Sequence, residues 1–183
     1  MVFAITIKLR QLMILNIYRK TLTFIITSTI LLSCINHNSD KMTEAESDHI
    51  IKDVKSFFDK IIEYSEGAKL DLFLSSYDNS PTFLHFGMDG KMSNYEETKK
   101  ACTEYYNALK EQKITTIQEK FHVIDTNLVI LAWTGNIVAR FKNGDIMKMN
   151  NYSITSVFKK IDNKWKVIHA HESALPPEII KKG

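Results

Sequence analysis

The chain has 183 residues, 44% hydrophobic and 25% charged, with 24 basic and 21 acidic side chains and a formal net charge of +3. That length accommodates one domain plus a short appendage. A charge this small leaves no electrostatic footprint for nucleic acid, which excludes DNA or RNA as an expected partner.

The appendage comes first. Residues 1–33 carry Lys8, Arg10, Arg19 and Lys20 and no acid, and then run into the apolar stretch TLTFIITSTILLSC ending at Cys34. A basic segment followed by a short apolar one is the pattern of a secretory signal, and it is too short for a membrane span. Met13 is an alternative start to Met1 and gives a signal of more usual length. The residues Leu31, Leu32 and Ser33 before Cys34 resemble the bacterial lipobox, which implies cleavage and lipidation of Cys34. The expectation is residues 1–33 as signal peptide, 34–42 as a polar tether, and a protein anchored to the membrane of the cell envelope by its N-terminal lipid. Without its first 33 residues the chain keeps 20 basic against 21 acidic side chains, a net −1. A lipidated Cys34 also leaves Cys102 without a partner, so no internal disulfide is expected.

The domain is expected over 43–175, with 176–183 as a C-terminal tail. Thr43 and Glu46 form a capping box. Behind it Ile50, Ile51, Val54, Phe57, Phe58, Ile61 and Ile62 make a helical stripe ending near Gly67. KLDLFLSSY adds one or two helical turns. PTFLHFGMDGK reads as a short strand and a turn. Ser93 and Glu96 suggest a second capping box, before the helix NYEETKKACTEYYNAL.

From residue 114 the pattern turns to strands: KITTIQEKFHVID, NLVILAWTGNIVARF, IMKMNNYSITSVFKK and WKVIHAHESAL. Asn143-Gly144 predicts a type I′ hairpin, with positive φ at both central residues. The turn at Asp162-Asn163 fits a two-residue or a bulged three-residue form. Four long strands with short loops form an antiparallel meander. LVILAW is apolar on both faces. One face covers the domain's own core, and the other calls for a second partner such as another subunit, which makes a homodimer the expectation. Helices before strands predict an α+β fold, with helices packed on a curved antiparallel sheet that leaves a cone open at one end for a small molecule.

That order of elements resembles the nuclear transport factor 2-like superfamily, and within it the SnoaL-like group. The stretches SITSVFKKIDNKWKVIHAHES and FGMDGKMSNYEETKKACTEYY are the most similar. The former is particularly like the association domain of calmodulin-dependent kinase II. The superfamily includes isomerases, cyclases, dehydratases and many non-catalytic binding or dimerisation domains, so chemistry has to come from pocket residues. In the kinase association domain the positions matching Glu172 and Ser156 are pocket-lining arginines. The resemblance therefore places Glu172 and Ser156 at the pocket and His169 and His171 on the outer face. It also puts that relative's anionic-ligand site in doubt here, because this chain has neither arginine.

Simple alternation along the last strand puts Val167, His169, His171 and Ser173 on one face and Ile168, Ala170 and Glu172 on the other. The two histidines then share a face that Glu172 does not join. A zinc site at the H-x-H pair would need a third ligand, and His85 and His122 qualify only by composition, so no metal is expected. No cofactor is implied. The remaining pocket candidates are Tyr77, His85, Tyr105, Trp133 and Tyr152, an aromatic set suited to a small apolar ligand. The reading is a dimeric binding or scaffold domain. Its alternative is an isomerase- or dehydratase-type enzyme with Glu172 as general base, paired with Tyr105 or Tyr152.

Overall fold

Thr43 opens the first helix as the spacing predicts. Its Oγ1 accepts from the Glu46 N–H at 3.2 Å, and the Glu46 carboxylate accepts from the Thr43 N–H at 2.8 Å. The computed structural model describes residues 42–182, so the expected signal peptide, Cys34 and the tether up to residue 41 lie outside the described residues. Helix α1 spans Glu44–Glu66 and is capped by Gly67, with Ile50, Val54, Phe58 and Ile61 buried along one stripe. It lies against strand β3 (Leu109–Asp125) with its direction reversed. Lys55 pairs with Glu119 at 2.6 Å, and Glu66 near the helix end pairs with Lys113 at 3.0 Å. The short helix α2 (Leu70–Ser75) follows.

The remaining strands are β1 (Leu84–Phe86), β2 (Met92–Ser93), β4 (Leu128–Phe141), β5 (Ile146–Ile161), β6 (Lys164–Ser173) and β7 (Glu178–Ile180), with helix α3 (Tyr95–Ala108) between β2 and β3. The order across the sheet is β2-β1-β6-β5-β4-β3, and β7 pairs with β5 beside β6. Helices over a curved sheet match the expected α+β cone. The sheet is mixed, however, because β1 runs parallel to β6 in the register His85↔Ala170. Hairpins force β3 to β6 to be antiparallel. β1 reaches β6 through α3 and the whole meander, a connection long enough for a parallel pair.

Four further details depart from expectation. The second capping box sits one residue later, on Asn94 and Glu97 (2.9 and 3.0 Å), because the sequence offers two equivalent registers. Strand β3 starts at Leu109, straight from the helix, rather than at 114. The Asn143-Gly144 hairpin has positive φ only at Gly144 (+94°), and a Phe141 N–H to Asp145 carbonyl bond of 2.9 Å closes it as a three-residue loop rather than a type I′ turn. The expected tail instead contains β7, held by Lys181 on Asp145 at 2.9 Å. The Asp162-Asn163 turn takes its two-residue form, with φ of 49° and 60° and Ile161 paired to Lys164.

One core joins α1 to the sheet. Val129, Leu131, Trp133, Phe158, Val167 and Ala170 face the helix stripe. Phe58 stands edge-on to both Trp133 and Phe158, at 6.0 and 6.3 Å. Each fully buried side chain of this kind contributes about 1.5–3 kcal/mol. On the other face of β4, Leu128 and Ile130 are half-buried and Ala132 is exposed.

Candidate functional site

The last long strand does not alternate simply. Val157 pairs with His169 and the next residue, Phe158, pairs with Val167, so Ile168 is an unmatched bulge. A bulge inserts one residue without a partner and shifts every side chain beyond it. Trp165 and Val167 therefore share the inner face with Ala170 and Glu172, while His169, His171 and Ser173 face out. Val167 thus moves from the histidine face, where strict alternation put it, to the core face. His169 and His171 rest against Phe86 of β1, with ring centroids at 6.0 and 5.4 Å.

Between the inner sheet face and the helices lies a cavity of about 410 Å³. Short side chains on the helices, Ser65, Ala101 and Cys102, leave this space. Phe58 and Phe158 belong to its buried lining, and Met88, half-exposed, belongs to its exposed lining. All seven residues singled out in the sequence — Tyr77, His85, Tyr105, Trp133, Tyr152, Ser156 and Glu172 — line this one space.

They do different things there. The Glu172 carboxylate is 3.1 Å from His85 Nε2, and both side chains are largely sheltered. His85 reaches it because β1 runs beside β6, with His85 opposite Ala170. On the other side of the ring, His85 Nδ1 faces the Ser93 hydroxyl at 3.4 Å, which meets the Thr98 hydroxyl at 3.0 Å. The Tyr152 phenol is turned to the same carboxylate. Burial pushes it well above the ordinary range, helped by the nearby charge of Glu172. Burial does the same to Tyr77, with the Cys102 and Glu172 charges adding to it. The Cys102 thiol is pushed up to about 11 by burial and then by Glu172. At neutral pH these phenols and this thiol are uncharged.

Trp133 is a wall rather than a polar contact. Its Nε1–H donates to the Thr116 hydroxyl at 3.0 Å. Tyr105 donates to Gln112 Oε1 at 2.8 Å, the Gln112 amide donates to the Ser65 carbonyl at 2.7 Å, and Tyr106 donates to the Ser65 hydroxyl at 2.9 Å. That second polar group satisfies itself and ties α1, α3 and β3 together. Of the two expected partners of Glu172, Tyr105 is engaged with Gln112 and Tyr152 is the one near the carboxylate. Sequence reasoning missed Gln112, Ser65, Tyr106, Cys102 and the lining methionines Met88, Met147 and Met149. Gln112 was hidden by the late start assigned to β3; the others carried no signal beyond helical or strand periodicity. His122 pairs with Ile130 across the outer face, and the described residues hold no cluster of three His, Cys, Asp or Glu fit for a metal.

Solved structures share this architecture at low sequence identity. A nuclear transport factor 2-like superfamily protein from Salmonella enterica serovar Typhimurium LT2 has TM-score 0.63 and 14% identity, over 71% of this chain and 94% of that one. A type 3 hexachlorocyclohexane dehydrochlorinase from Novosphingobium barchaimii LL02 has TM-score 0.61 and 6% identity, over 75% and 94%. A protein of unknown function with this fold from Shewanella oneidensis MR-1 has TM-score 0.53 and 18% identity, over 67% and 98%. These likenesses are of fold. No curated protein matches the chain in sequence. The SnoaL-like domain model matches residues 54–177, which takes in the second half of α1, the whole sheet except β7, and every cavity-lining residue named above. The chain belongs to the SnoaL-like domain family.

Proposed function

We propose that this protein is a small-molecule-binding domain, held at the cell envelope by a lipid on Cys34 and paired with a second copy through its outer sheet face. The observation that carries the binding reading is the cavity: about 410 Å³, walled by aromatic and aliphatic side chains, with one polar end at Glu172 and His85. Binding sites for small organic molecules have this size and this ratio of wall to polar group. Ile154 lines the wall, so Ile154→Trp should fill the space. Small molecules that co-purify with the full chain, identified by mass spectrometry after denaturation, should be missing from that variant. Recovery of the same compounds from both proteins would remove the cavity as the binding site.

The envelope and dimer parts rest on other features. The basic-then-apolar segment ending at Cys34 supports lipidation, and Cys34→Ser should no longer label with palmitate; unchanged labelling refutes it. Leu128, Ile130 and Ala132 on the outer face of β4 support self-association, since symmetric sheet pairing buries such a face. Sedimentation of the full chain in detergent at micromolar concentration should give a protein mass of two chains; a one-chain mass sinks the dimer.

A second reading is favoured by the contact between Glu172 and His85. In an isomerase- or dehydratase-type reaction Glu172 would be the general base, and the neutral Tyr152 phenol would donate to the oxygen where charge develops. This reading requires turnover of a bound compound that is abolished in Glu172→Gln. Binding without turnover leaves the first reading alone.

A further inference from the structure

We propose that the cavity takes a lipophilic organic monocation, a protonated amine on an aromatic or alicyclic body, with its ammonium seated on Glu172. The proposal rests on the cavity being a binding site and goes on to name the chemistry of its ligand.

Charge makes the first part of the case. Among the described residues the cavity is lined by one acid, Glu172, and by no lysine or arginine. An anionic ligand would meet a like charge and no counter-ion. The phenols of Tyr77 and Tyr152 and the thiol of Cys102 face the same end in neutral form and cannot balance the carboxylate either.

The hydroxyl chain makes the second. Thr98 and Ser93 lie behind His85, and the Ser93 hydroxyl can donate to Nδ1. In the tautomer that accepts at Nδ1 and donates its Nε2–H to Glu172 the ring carries no charge, and the pair in that arrangement keeps the single negative charge of the carboxylate. A neutral apolar ligand closing over that carboxylate would strip its water and return nothing, which is costly. An ammonium returns a charge-assisted hydrogen bond.

The walls make the third. The rings of Tyr77 and Tyr152 stand beside the carboxylate, and ring faces attract a cation held near them. Beyond them the lining is Phe73, Trp133, Met147 and Met149, adaptable apolar surface for the body of the molecule. The self-satisfied Ser65, Gln112, Tyr105 and Tyr106 group offers no second polar anchor. A ligand with one charged end and a bare body fits this layout.

Three probes of one shape test it: 2-naphthylmethylamine, 2-naphthylmethanol and 2-naphthoate, titrated by calorimetry at pH 7 into the full chain in a zwitterionic micelle, against a micelle blank. The amine should bind about tenfold or more tighter than the alcohol, as a charge-assisted contact over a neutral one implies, and the naphthoate should not bind at millimolar concentration. In Glu172→Gln the amine should fall to the level of the alcohol. Retained alcohol binding in that variant reports that its fold is intact. Equal binding of amine and alcohol to the wild type, or an amine preference that survives Glu172→Gln, overturns the cation and leaves the cavity as a binding site. Amine binding that survives Ile154→Trp places the amine outside the cavity and overturns the proposal. Absence of binding by all three probes overturns the cation together with the binding reading beneath it.

Discussion

A Cβ added at Gly135 would collide with the Trp133 ring and would stand 2.6 Å from the Thr115 carbonyl oxygen. The backbone at this point leaves no room for a methyl group, and its φ is not in the left-handed region, so the constraint is one of space rather than conformation. Trp133 uses that space: its ring folds over Gly135, with Nε1 donating to Thr116, and it lines the cavity in edge-to-face contact with Phe58. Gly135→Ala should push the ring off its wall position. The expected cost is about 1–3 kcal/mol of stability, as for other overpacked sites. Urea denaturation checks the first effect. A drop in Trp133 burial, seen as a red-shifted emission against Trp165, checks the second. A variant with wild-type stability and emission would mean that the ring has another resting place. Side chains that differ by a single residue in β6 act on opposite faces for a similarly local reason. His171 leans on Phe86 outside, while Glu172 meets His85 within.

At the scale of elements, what the sequence made legible was whatever repeats with a period. The α1 stripe and its capping box follow from spacing alone, as do the four long strands and their hairpins. What stayed hidden was whatever breaks a period or pairs distant segments. The β6 bulge at Ile168 carries no signal, because Trp165, Val167, Ala170 and His171 read equally well as either face of a regular strand. The parallel β1–β6 pair joins residues 84–86 to 169–171, and nothing in either stretch announces the other. Yet that pair is what brings His85 to Glu172. The seven chosen side chains share one cavity for two reasons. Aromatic residues flanked by strand periodicity face the core by default. Glu172 and Ser156 were placed by resemblance, not by pattern. The functional weight of these residues is a matter for the titrations above. β3 illustrates the limit on boundaries: its bulges after Leu109, Thr116 and Val123 disrupt alternation, so residues 110–113 fall between the expected helix and the expected strand.

The described residues form a curved sheet and helices gathered around a space whose polar groups are mostly buried, and this has a consequence at alkaline pH. Burial pushes Cys102 from 9.0 up to about 11 and Tyr105 from 10.0 up to about 12, and it raises Tyr77, Tyr106 and Tyr152 further still. In every case the folded protein holds the proton more tightly than the unfolded chain does. Above the unfolded values the unfolded chain therefore binds fewer protons, and stability falls as pH rises. The contribution is fully present below about pH 9 for the thiol and about pH 10 for the phenols. It is lost as pH climbs through the folded values. The melting temperature should thus be insensitive to these groups between pH 6 and 8 and should fall with increasing slope from about pH 9 to 12. Phenolate absorbance at 295 nm, followed together with far-ultraviolet circular dichroism, gives the decisive comparison. The four cavity tyrosines should ionise only as the ellipticity collapses, because burial holds each phenol neutral while the walls are closed. Phenolate from all of them near pH 10 with the ellipticity intact would mean that water already fills the polar end. The cavity would then lack the low-dielectric character on which both the binding of an ammonium and the neutrality of Tyr152 depend.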